Sequence, residues 1–461
     1  MSKKRLNRRK FLKKAANASI GAIGFPYIVS SSALGKFGTV APSNRVTLGW
    51  IGAGPMGHAD ISNFLRRDDV QVTAVCDVMT SARQNAQNRI NEHFQGNVCD
   101  AYNDFRDLLA RDDIDAVLIA TPDHWHVVQA IASAKAGKDI YLQKPMGLSI
   151  AANLALRDAV HRYGVVFQFG TQQRSSSHFR RACELVRNGR VGKLHTINVW
   201  CSASDAGGSM EPAAVPEGLD YDMWSGPAPL KPYTDSLCFD TPQEEKSWWF
   251  ISDYCLGWIA GWGIHVLDIA QWGTDKELDG IVEVEGKAEY PADGRYDTAT
   301  SWDVVLKYPS GVKINFKGVP WRGIRAREAP PEWQKRYGRY GRDGYHGTAF
   351  EGTDGWILVN REGPKISANP ATLLNSTIGP NEIHLYKSSL HESNFIDCVK
   401  SRAETICPID VAVRSDNMCH ISDIAVKLGR KLRWDQEKEL FINDEQANRM
   451  LKRPMQSPWH L

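Results

Sequence analysis

A glycine-rich turn between an apolar run and a predicted helix is the feature that most limits how this chain can fold. Residues 46–51 predict a buried strand, and they lead into Gly52-Ala53-Gly54-Pro55-Met56-Gly57. In this G-x-G-x-x-G pattern the first glycine permits a tight turn and the second lets backbone N–H groups approach a pyrophosphate. The third lets the following helix pack closely, with its positive N-terminal end towards the phosphates. The pattern therefore predicts a βαβ unit that binds a dinucleotide.

A carboxylate after the second predicted strand supports this interpretation. The apolar run at residues 70–76 ends at Asp77, about twenty residues beyond the glycines, where an acid would accept hydrogen bonds from the adenosine ribose. A negative charge there favours NAD over NADP, because a 2′-phosphate would meet like charge; Arg83 nearby keeps NADP as an alternative. The other interpretation is an ordinary βαβ turn in which Asp77 caps the next helix.

The first residues have the pattern of an export signal. Arg8 and Arg9 precede Phe11-Leu12-Lys13 and a mildly apolar stretch at residues 15–29. Twin arginines before such a stretch are typical of a Tat signal, so we expect a periplasmic or secreted protein. The alternative is a basic amphipathic or disordered N-terminus. The stretch is shorter than the roughly 20 apolar residues that span a membrane, so a membrane anchor is expected only if the leader is uncleaved.

The two features together predict a tightly bound cofactor. The Tat route carries folded proteins, and nicotinamide cofactors are cytoplasmic metabolites, so we expect the chain to fold around NAD before export and to keep it. The cofactor must then be reset by a second substrate, or the hydride must be returned within one catalytic cycle.

Composition excludes several classes of protein. With 461 residues the chain has room for two or three domains and a large core. A net charge of +3, with no dense basic run beyond the leader, argues against a nucleic-acid partner. Nine cysteines without a C-x-x-C pair give no metal-site signature, and we predict no metal. An odd, scattered set of thiols also fits folding under reducing conditions.

Two sheets of different kinds are predicted. Alternating strands and helices up to about residue 169 predict a doubly wound parallel sheet, that is, an α/β Rossmann domain. Four later strand-like runs with few helices between them predict a C-terminal α+β domain with a large, mostly antiparallel open sheet. Residues 207–232 and 322–355 are interpreted as long surface loops or lids, and residues 431–461 as a polar tail on the surface. The predicted divisions are a Tat signal and linker at 1–43, an NAD-binding domain at 44–166, a substrate and oligomerisation domain at 167–440 and a tail at 441–461.

One edge of the first sheet collects the predicted cofactor residues. Ligands of doubly wound sheets lie beyond the carboxyl ends of the strands. His124 and His126 flank Trp125 after one such strand, where they line the cofactor or cap the next helix. The predicted cofactor-binding residues are Gly52, Ala53, Gly54, Pro55, Met56, Gly57, Asp77, Thr121, Pro122, His124, His126, Gln143 and Lys144.

Four motifs together carry a resemblance to a known family. The chain resembles the Gfo/Idh/MocA family, which includes glucose–fructose oxidoreductase and inositol dehydrogenase. The match is in the order and spacing of Gly52–Gly57, Ala120-Thr121-Pro122-Asp123-His124-Trp125-His126, Gln143-Lys144-Pro145 and Gly263-Ile264-His265-Val266-Leu267-Asp268. The resemblance implies a Rossmann domain followed by an α/β domain whose open sheet often forms an oligomer interface, so we expect a homo-oligomer.

Lys144 and His265 are the predicted catalytic residues. Oxidising a sugar hydroxyl requires a base near the nicotinamide, and by resemblance Lys144 is the lysine that stands by that hydroxyl. A free lysine has a pKa of about 10.4, which burial and a positive nicotinamide ring would lower. The alternative is a surface lysine at a strand end. By resemblance His265 faces the substrate; the alternative is a core histidine held by Asp268, which shares its helix face.

Two positions depart from the family pattern. The usual Glu before the lysine is Gln143, and the Asp that many family sugar dehydrogenases carry four residues before the histidine is Gly261. Either another group supplies the acid, or the reaction differs.

Tryptophans near His265 point to a carbohydrate. Their faces stack on the C–H faces of sugar rings, while polar neighbours bind hydroxyls; core packing is the alternative for each one. The predicted substrate-binding residues are Gln172, Arg174, Trp258, Trp262, His265 and Asp268. The leading hypothesis is an exported oxidoreductase with tightly bound NAD(P) acting on a carbohydrate or carbohydrate derivative. The alternatives are a redox-neutral NAD-dependent glycosidase or epimerase acting through a transient keto-sugar, and a non-catalytic periplasmic sugar-binding protein.

Overall fold

The computed structural model describes residues 40–235, 237, 248–320, 329–338 and 346–461. The twin arginines and the apolar stretch of the predicted leader lie outside the described residues. Residues 46–461 form one compact unit. In the described part of the chain, no helix has the length and apolar character needed to cross a membrane.

The first sheet is parallel and has the doubly wound strand order. Over residues 46–169, all of which are described, six strands pair in the order β3-β2-β1-β4-β5-β6. The strands are buried on both faces by helices, which is why most of their residues are apolar. The predicted parallel sheet is confirmed. The strands are β1 Val46–Ile51, β2 Val70–Cys76, β3 Asp100–Tyr102, β4 Ala116–Ile119, β5 Asp139–Leu142 and β6 Phe167–Phe169.

Helices connect these strands and cover both faces of the sheet. Local signals fix several of their ends. The Ser149 hydroxyl accepts the N–H of Ala152 at the start of one helix, and Gly164 ends that helix in the left-handed region. The helices are α1 Pro55–Phe64, α2 Thr80–Phe94, α3 Phe105–Leu109, α4 Asp123–Lys135 and α5 Ile150–Tyr163.

The second sheet is mostly antiparallel, as predicted. Within the described residues its nine strands pair in the order β13-β12-β11-β7-β10-β9-β8-β14-β15, and only β7 and β10 run parallel. The strands are β7 Leu194–Ser202, β8 Ile281–Glu289, β9 Ser301–Lys307, β10 Lys313–Val319, β11 Gly347–Gly352, β12 Gly355–Val359, β13 Ile366–Asn369, β14 Leu432–Asp435 and β15 Leu440–Phe441.

The remaining helices place the second sheet beside the first. One helix packs on β7 and β11 and another packs on β8. The described helices of this half are α6 Ser177–Arg187, α7 Tyr221–Ser225, α8 Trp258–Gly261, α9 Gly263–Trp272, α10 Pro331–Tyr337, α11 His391–Ser401, α12 Ile409–Leu428 and α13 Glu445–Arg449. Of these helices, α9 is the one that packs on β7 and β11, and α12 is the one that packs on β8.

Two predictions for this half are wrong. Residues 322–355 include β11, a buried strand that pairs with β12 and β7 inside the sheet, and not only surface loop. The glycines at both ends of β11 are typical of loops. Gly347 is nevertheless required in the strand, because a Cβ at this position would lie 2.5 Å from the Trp200 ring. The polar tail from residue 431 does not simply lie on the surface. It adds β14 and β15, which bury Trp434 and Phe441.

Candidate active site

A cavity of about 410 Å³ lies at the carboxyl ends of the parallel strands. The glycine turn forms one end of its wall, and Lys144 and several tryptophans from the second half of the chain form the other. Of the predicted cofactor residues it is lined by Gly52, Ala53, Gly54, Pro55, Met56, Asp77, Thr121, Pro122, His126, Gln143 and Lys144, and of the predicted substrate residues by Trp258 and Trp262.

The glycine turn has the shape that a pyrophosphate requires. Gly52 has a φ of +92°, and a Cβ there would lie 2.6 Å from the backbone of Ala120. A Cβ on Gly57 would lie 2.1 Å from the Gly52 oxygen, so α1 packs directly on the turn. Gly54 caps α1, and a Cβ there would meet nothing within 4 Å. Open space at the N-terminal end of a ten-residue helix fits the pyrophosphate of NAD.

Asp77 is fixed by backbone groups at the end of β2. Its two carboxylate oxygens accept the N–H groups of Ala53 at 2.7 Å and Met79 at 2.8 Å. Burial raises the pKa of Asp77, and these N–H groups oppose the rise. Arg83 donates to the Asp77 carbonyl and to the Asn103 side chain. Because the Arg83 guanidinium is directed at these groups, the carboxylate dominates the ribose end, as NAD requires.

The two histidines of α4 have different places. The His126 ring nitrogens lie 2.7 Å from the Pro145 carbonyl and 2.8 Å from the Thr121 carbonyl, at the cavity wall. Burial lowers the pKa of His126 to about 4, so it is neutral and donates through one nitrogen at a time. His124 does not line the cavity. Its Nε2 lies 2.9 Å from the Trp224 carbonyl.

Residues 216–226, here called the strap, cross from the second half of the chain onto the first. The Thr80 N–H donates to the Gly218 carbonyl at 2.9 Å, and the Asn103 side chain donates to Asp220 at 2.7 Å. The Trp125 indole donates to the Trp224 carbonyl at 3.1 Å. The strap lies within the predicted loop at 207–232 and closes the cavity with Leu219, Met223 and Trp224.

Lys144 is held where the two halves meet. Its Nζ donates to the Gly261 carbonyl at 3.1 Å. Burial lowers the pKa of Lys144, Arg361 lowers it further, and Asp123 opposes the shift. The lowered pKa brings the neutral amine, which is the form that accepts a proton, closer to neutral pH.

Asp60 was missed by the sequence analysis. Gln143 Nε2 donates to its carboxyl at 2.7 Å, and Gln143 Oε1 accepts the Lys144 N–H at 3.1 Å. Burial raises the pKa of Asp60 to about 7, with the Gln143 bond opposing. The available signal was an acid between the glycine turn and the buried Ile61 on α1. A buried carboxyl therefore stands directly behind position 143.

The sequence analysis predicted no role for Asp123, yet Asp123 is a second buried carboxyl in the cavity wall. It opens α4 beside Lys144, and its Oδ2 has no hydrogen-bond partner among the described residues. Burial raises its pKa to about 7, while the Cys255 thiol and Lys144 lower it.

His265 lies behind Trp262, with 5.6 Å between the ring centroids, and is not among the residues that line the cavity. Its Nδ1 has no partner in the described part of the chain. Burial lowers the pKa of His265 well below its usual value, and the positive charges of Arg361 and Lys144 lower it further. Among the described residues, Asp268 makes no hydrogen bond to the His265 ring, so the alternative of a core histidine held by Asp268 is not found.

Besides His265, three predicted substrate residues lie outside the cavity lining. Arg174 Nε and Nη2 each donate to Asp268 at 2.7 Å, and Ser415 donates to the same carboxylate at 2.7 Å. Both side chains of this ion pair are almost fully buried, so they bind each other inside the protein rather than a ligand. Gln172 lies within hydrogen-bonding reach of Asp60.

The tryptophans gather on one wall. Trp258 and Trp262 of the predicted set are joined there by Trp248 and Trp249. Flat apolar rings beside polar groups suit the C–H faces and hydroxyls of a sugar. The described residues contain no group of three His, Cys, Asp or Glu side chains placed to hold a metal ion.

Comparison with known sequences identifies both halves. Residues 46–171 match an oxidoreductase family with an NAD-binding Rossmann fold, and residues 191–322 and 381–461 match the C-terminal α/β domain of that oxidoreductase family. A glycosyl hydrolase family 109 protein of Shewanella baltica is 31% identical over 175 residues, 34% of this chain and 37% of that protein. A myo-inositol 2-dehydrogenase of Thermotoga maritima is 28% identical over 179 residues, 39% of this chain and 49% of that protein. The chain thus matches less than half of the length of these curated relatives.

A solved structure has the same fold. The WlbA dehydrogenase from Bordetella pertussis, in complex with NADH and UDP-GlcNAcA, is 16% identical with a TM-score of 0.58. The alignment covers 84% of this chain and 98% of that chain.

Gly54→Ala tests the cofactor cradle. The added methyl group meets no protein atom, so we expect unchanged thermal stability and an NAD Kd raised about tenfold or more, because the methyl enters the pyrophosphate's space. Gly57→Ala is the matched control, which should instead lower the free energy of unfolding by about 1–3 kcal/mol. Isothermal titration and urea unfolding measure the two effects. Unchanged NAD binding by the Gly54 variant would contradict this assignment.

Asp60→Asn tests the buried carboxyl behind Gln143. The folded pKa of about 7 exceeds the ordinary 3.8, so Asp60 holds its proton more tightly when folded. Its stabilising contribution is present below pH 4 and is lost as pH rises towards 7. The variant should therefore lose about 2–4 kcal/mol less free energy of unfolding between pH 4 and 8 than the wild type. Urea unfolding across this range measures it, with the exposed Asp112→Asn as control; equal slopes in all three proteins refute the prediction.

Proposed function

Because the chain belongs to the Gfo/Idh/MocA family of NAD-binding oxidoreductases, we propose that it transfers hydride between bound NAD and a hydroxyl-bearing carbon of a carbohydrate or carbohydrate derivative. One observation carries this proposal. A single cavity runs from the glycine turn to Lys144 and continues along a wall of tryptophans. The cofactor site, a base and a surface suited to a sugar ring therefore adjoin one another.

The residues of this cavity supply the proton chemistry. The bound nicotinamide ring accepts the hydride. Lys144 takes the hydroxyl proton at Nζ, since burial favours its neutral form. The Gly261 carbonyl fixes the direction of that amine, and the neighbouring tryptophans form an apolar wall of the same cavity. Trp258 and Trp262 orient the ring of the substrate.

The relatives support a polyhydroxylated substrate. One is a myo-inositol 2-dehydrogenase, and the solved structure with the same fold holds a nucleotide sugar acid beside NADH. These ligands share a ring of hydroxyl-bearing carbons, which is the class of substrate proposed for this chain.

A redox-neutral glycosidase or epimerase is the second candidate. The relative from Shewanella baltica belongs to a glycosyl hydrolase family. In this reaction a ring hydroxyl is oxidised transiently, the acidified neighbouring C–H drives elimination or inversion, and the hydride then returns. Gln143 and Gly261, at positions where family dehydrogenases carry acids, support this second candidate.

We propose further that the protein is exported folded with its cofactor and assembles as a homo-oligomer. The twin arginines of the leader support export. The eight cysteines that the structure describes are all unpaired and buried, as fits folding in a reducing compartment before transport. NAD absent from protein purified from the periplasm would count against this proposal.

Lys144→Met tests the proposed activity. The purified protein is mixed with monosaccharides, inositols, sugar acids and nitrophenyl glycosides, and reduced nicotinamide and nitrophenol are followed by absorbance. Persistent reduced cofactor identifies the dehydrogenase, and nitrophenol release identifies the glycosidase. Removing the amine should lower either rate by about 10²-fold or more while NAD stays bound.

Lys307→Met is the matched control, because it removes an exposed amine of the second sheet, away from the cavity lining. It should keep full activity. Sugar binding without either product, in the wild-type protein, would instead identify a binding protein.

A further inference from the structure

We infer that Asp123 is the carboxyl group that exchanges a proton with Lys144 during hydride transfer, in place of an acid at position 261. This inference rests on the proposed function, because it assigns the fate of the proton that Lys144 takes from the hydroxyl.

The geometry places Asp123 in the same wall as the amine. Asp123 follows β4 directly, is 4% exposed, and lines the cavity together with Lys144 and Cys255. Its Oδ2 is buried without a hydrogen-bond partner among the described residues. A buried carboxyl oxygen in this state costs free energy of folding, unless a partner reaches it during turnover. Lys144 lines the same cavity, and its flexible side chain would reach this oxygen by turning away from the Gly261 carbonyl.

The charges around the pair support proton exchange between its members. The charged groups acting on Lys144 are Asp123, Arg361 and Asp60, and of the two acids Asp123 acts more strongly. Asp123 also faces Cys255 and Asp416, and burial raises the pKa of the Cys255 thiol well above its usual value, so that thiol stays neutral. Burial lowers the pKa of Lys144 and raises that of Asp123 to about 7. Burial therefore shifts the two pKa values towards each other, which favours proton transfer in either direction.

The step balances in protons and electrons. As the substrate C–H gives its hydride to the nicotinamide, the hydroxyl proton moves to the neutral Nζ of Lys144. The resulting ammonium passes a proton to the Asp123 carboxylate, which becomes a neutral carboxylic acid, and Lys144 returns to the amine. Reduction of a ketone runs the same steps backwards. The Asp123 carboxylate thus loses its negative charge as the nicotinamide loses its positive charge, and the net charge of the cavity does not change.

A substitution at position 261 can supply a carboxyl group in place of that of Asp123. A Cβ on Gly261 would find its nearest neighbour, the Trp258 ring, at 3.5 Å, an ordinary contact distance. The Gly261 carbonyl already accepts the Lys144 amine. A carboxylate introduced at this position therefore lies close to the same amine.

The test measures how tightly Lys144 binds its proton. The NAD-loaded full chain is labelled with acetic anhydride at a series of pH values, and acetylation of Lys144 is quantified by mass spectrometry. Asp123→Asn should lower the midpoint of labelling by about one pH unit or more, because the amine loses the acid that most raises its pKa. Asp123→Ser provides the same comparison if the amide variant does not fold. Glu285→Gln, which removes an exposed acid of the second sheet, should keep the wild-type midpoint.

Adding Gly261→Asp to Asp123→Asn should restore the wild-type midpoint and part of the lost turnover, which a merely structural role of Asp123 would not allow. An unchanged midpoint in the Asp123 variants overturns the inference. Labelling needs no sugar, so it is decided separately from the proposed function. A shifted midpoint in a protein that turns over no sugar supports the Lys144–Asp123 pair and overturns the proposed function.

Discussion

The burial of the Lys144 amine between the two halves of the chain is the constraint on which the chemistry of the cavity depends. An ammonium group loses hydration there, and the Gly261 carbonyl at 3.1 Å only partly replaces it. In the first half of the chain, the neutral His126 ring lies between the carbonyls of Thr121 and Pro145 and donates to one of them, which helps to fix the backbone at this point. The amine therefore has a fixed position but a weakened hold on its proton, as a base at neutral pH requires.

The departures from the family pattern are changes of position rather than simple losses of acid. At position 143 a glutamine replaces glutamate, but its amide is bound to the buried carboxyl of Asp60. At position 261 the acid is missing, but Asp123 lines the same cavity as the amine. In each case a carboxyl group lies nearby in the structure and comes from a distant part of the sequence. Residue types at motif positions alone therefore understate the acids that the site contains.

The sequence predicted the first half of the fold far better than the second. β4 is buried on both faces and appears as an unbroken apolar run. β11 was not predicted because glycines at its ends are typical of loops, although one of them, Gly347, is required beside the Trp200 ring. Arg174 was predicted to bind substrate because an arginine at a domain junction looks the same in sequence whether it faces a ligand or a buried Asp268.

The strap links the cofactor cleft to the second half of the chain by main-chain contacts. Its Gly218 and Trp224 carbonyls are bound by Thr80 and Trp125 on the opposite side of the cleft. Because strap residues line the same cavity as the glycine turn, they form part of the surface that a bound coenzyme would contact. Local opening of this segment would then change the rates at which the coenzyme enters and leaves, so coenzyme exchange depends on the stability of one loop as well as on the binding contacts.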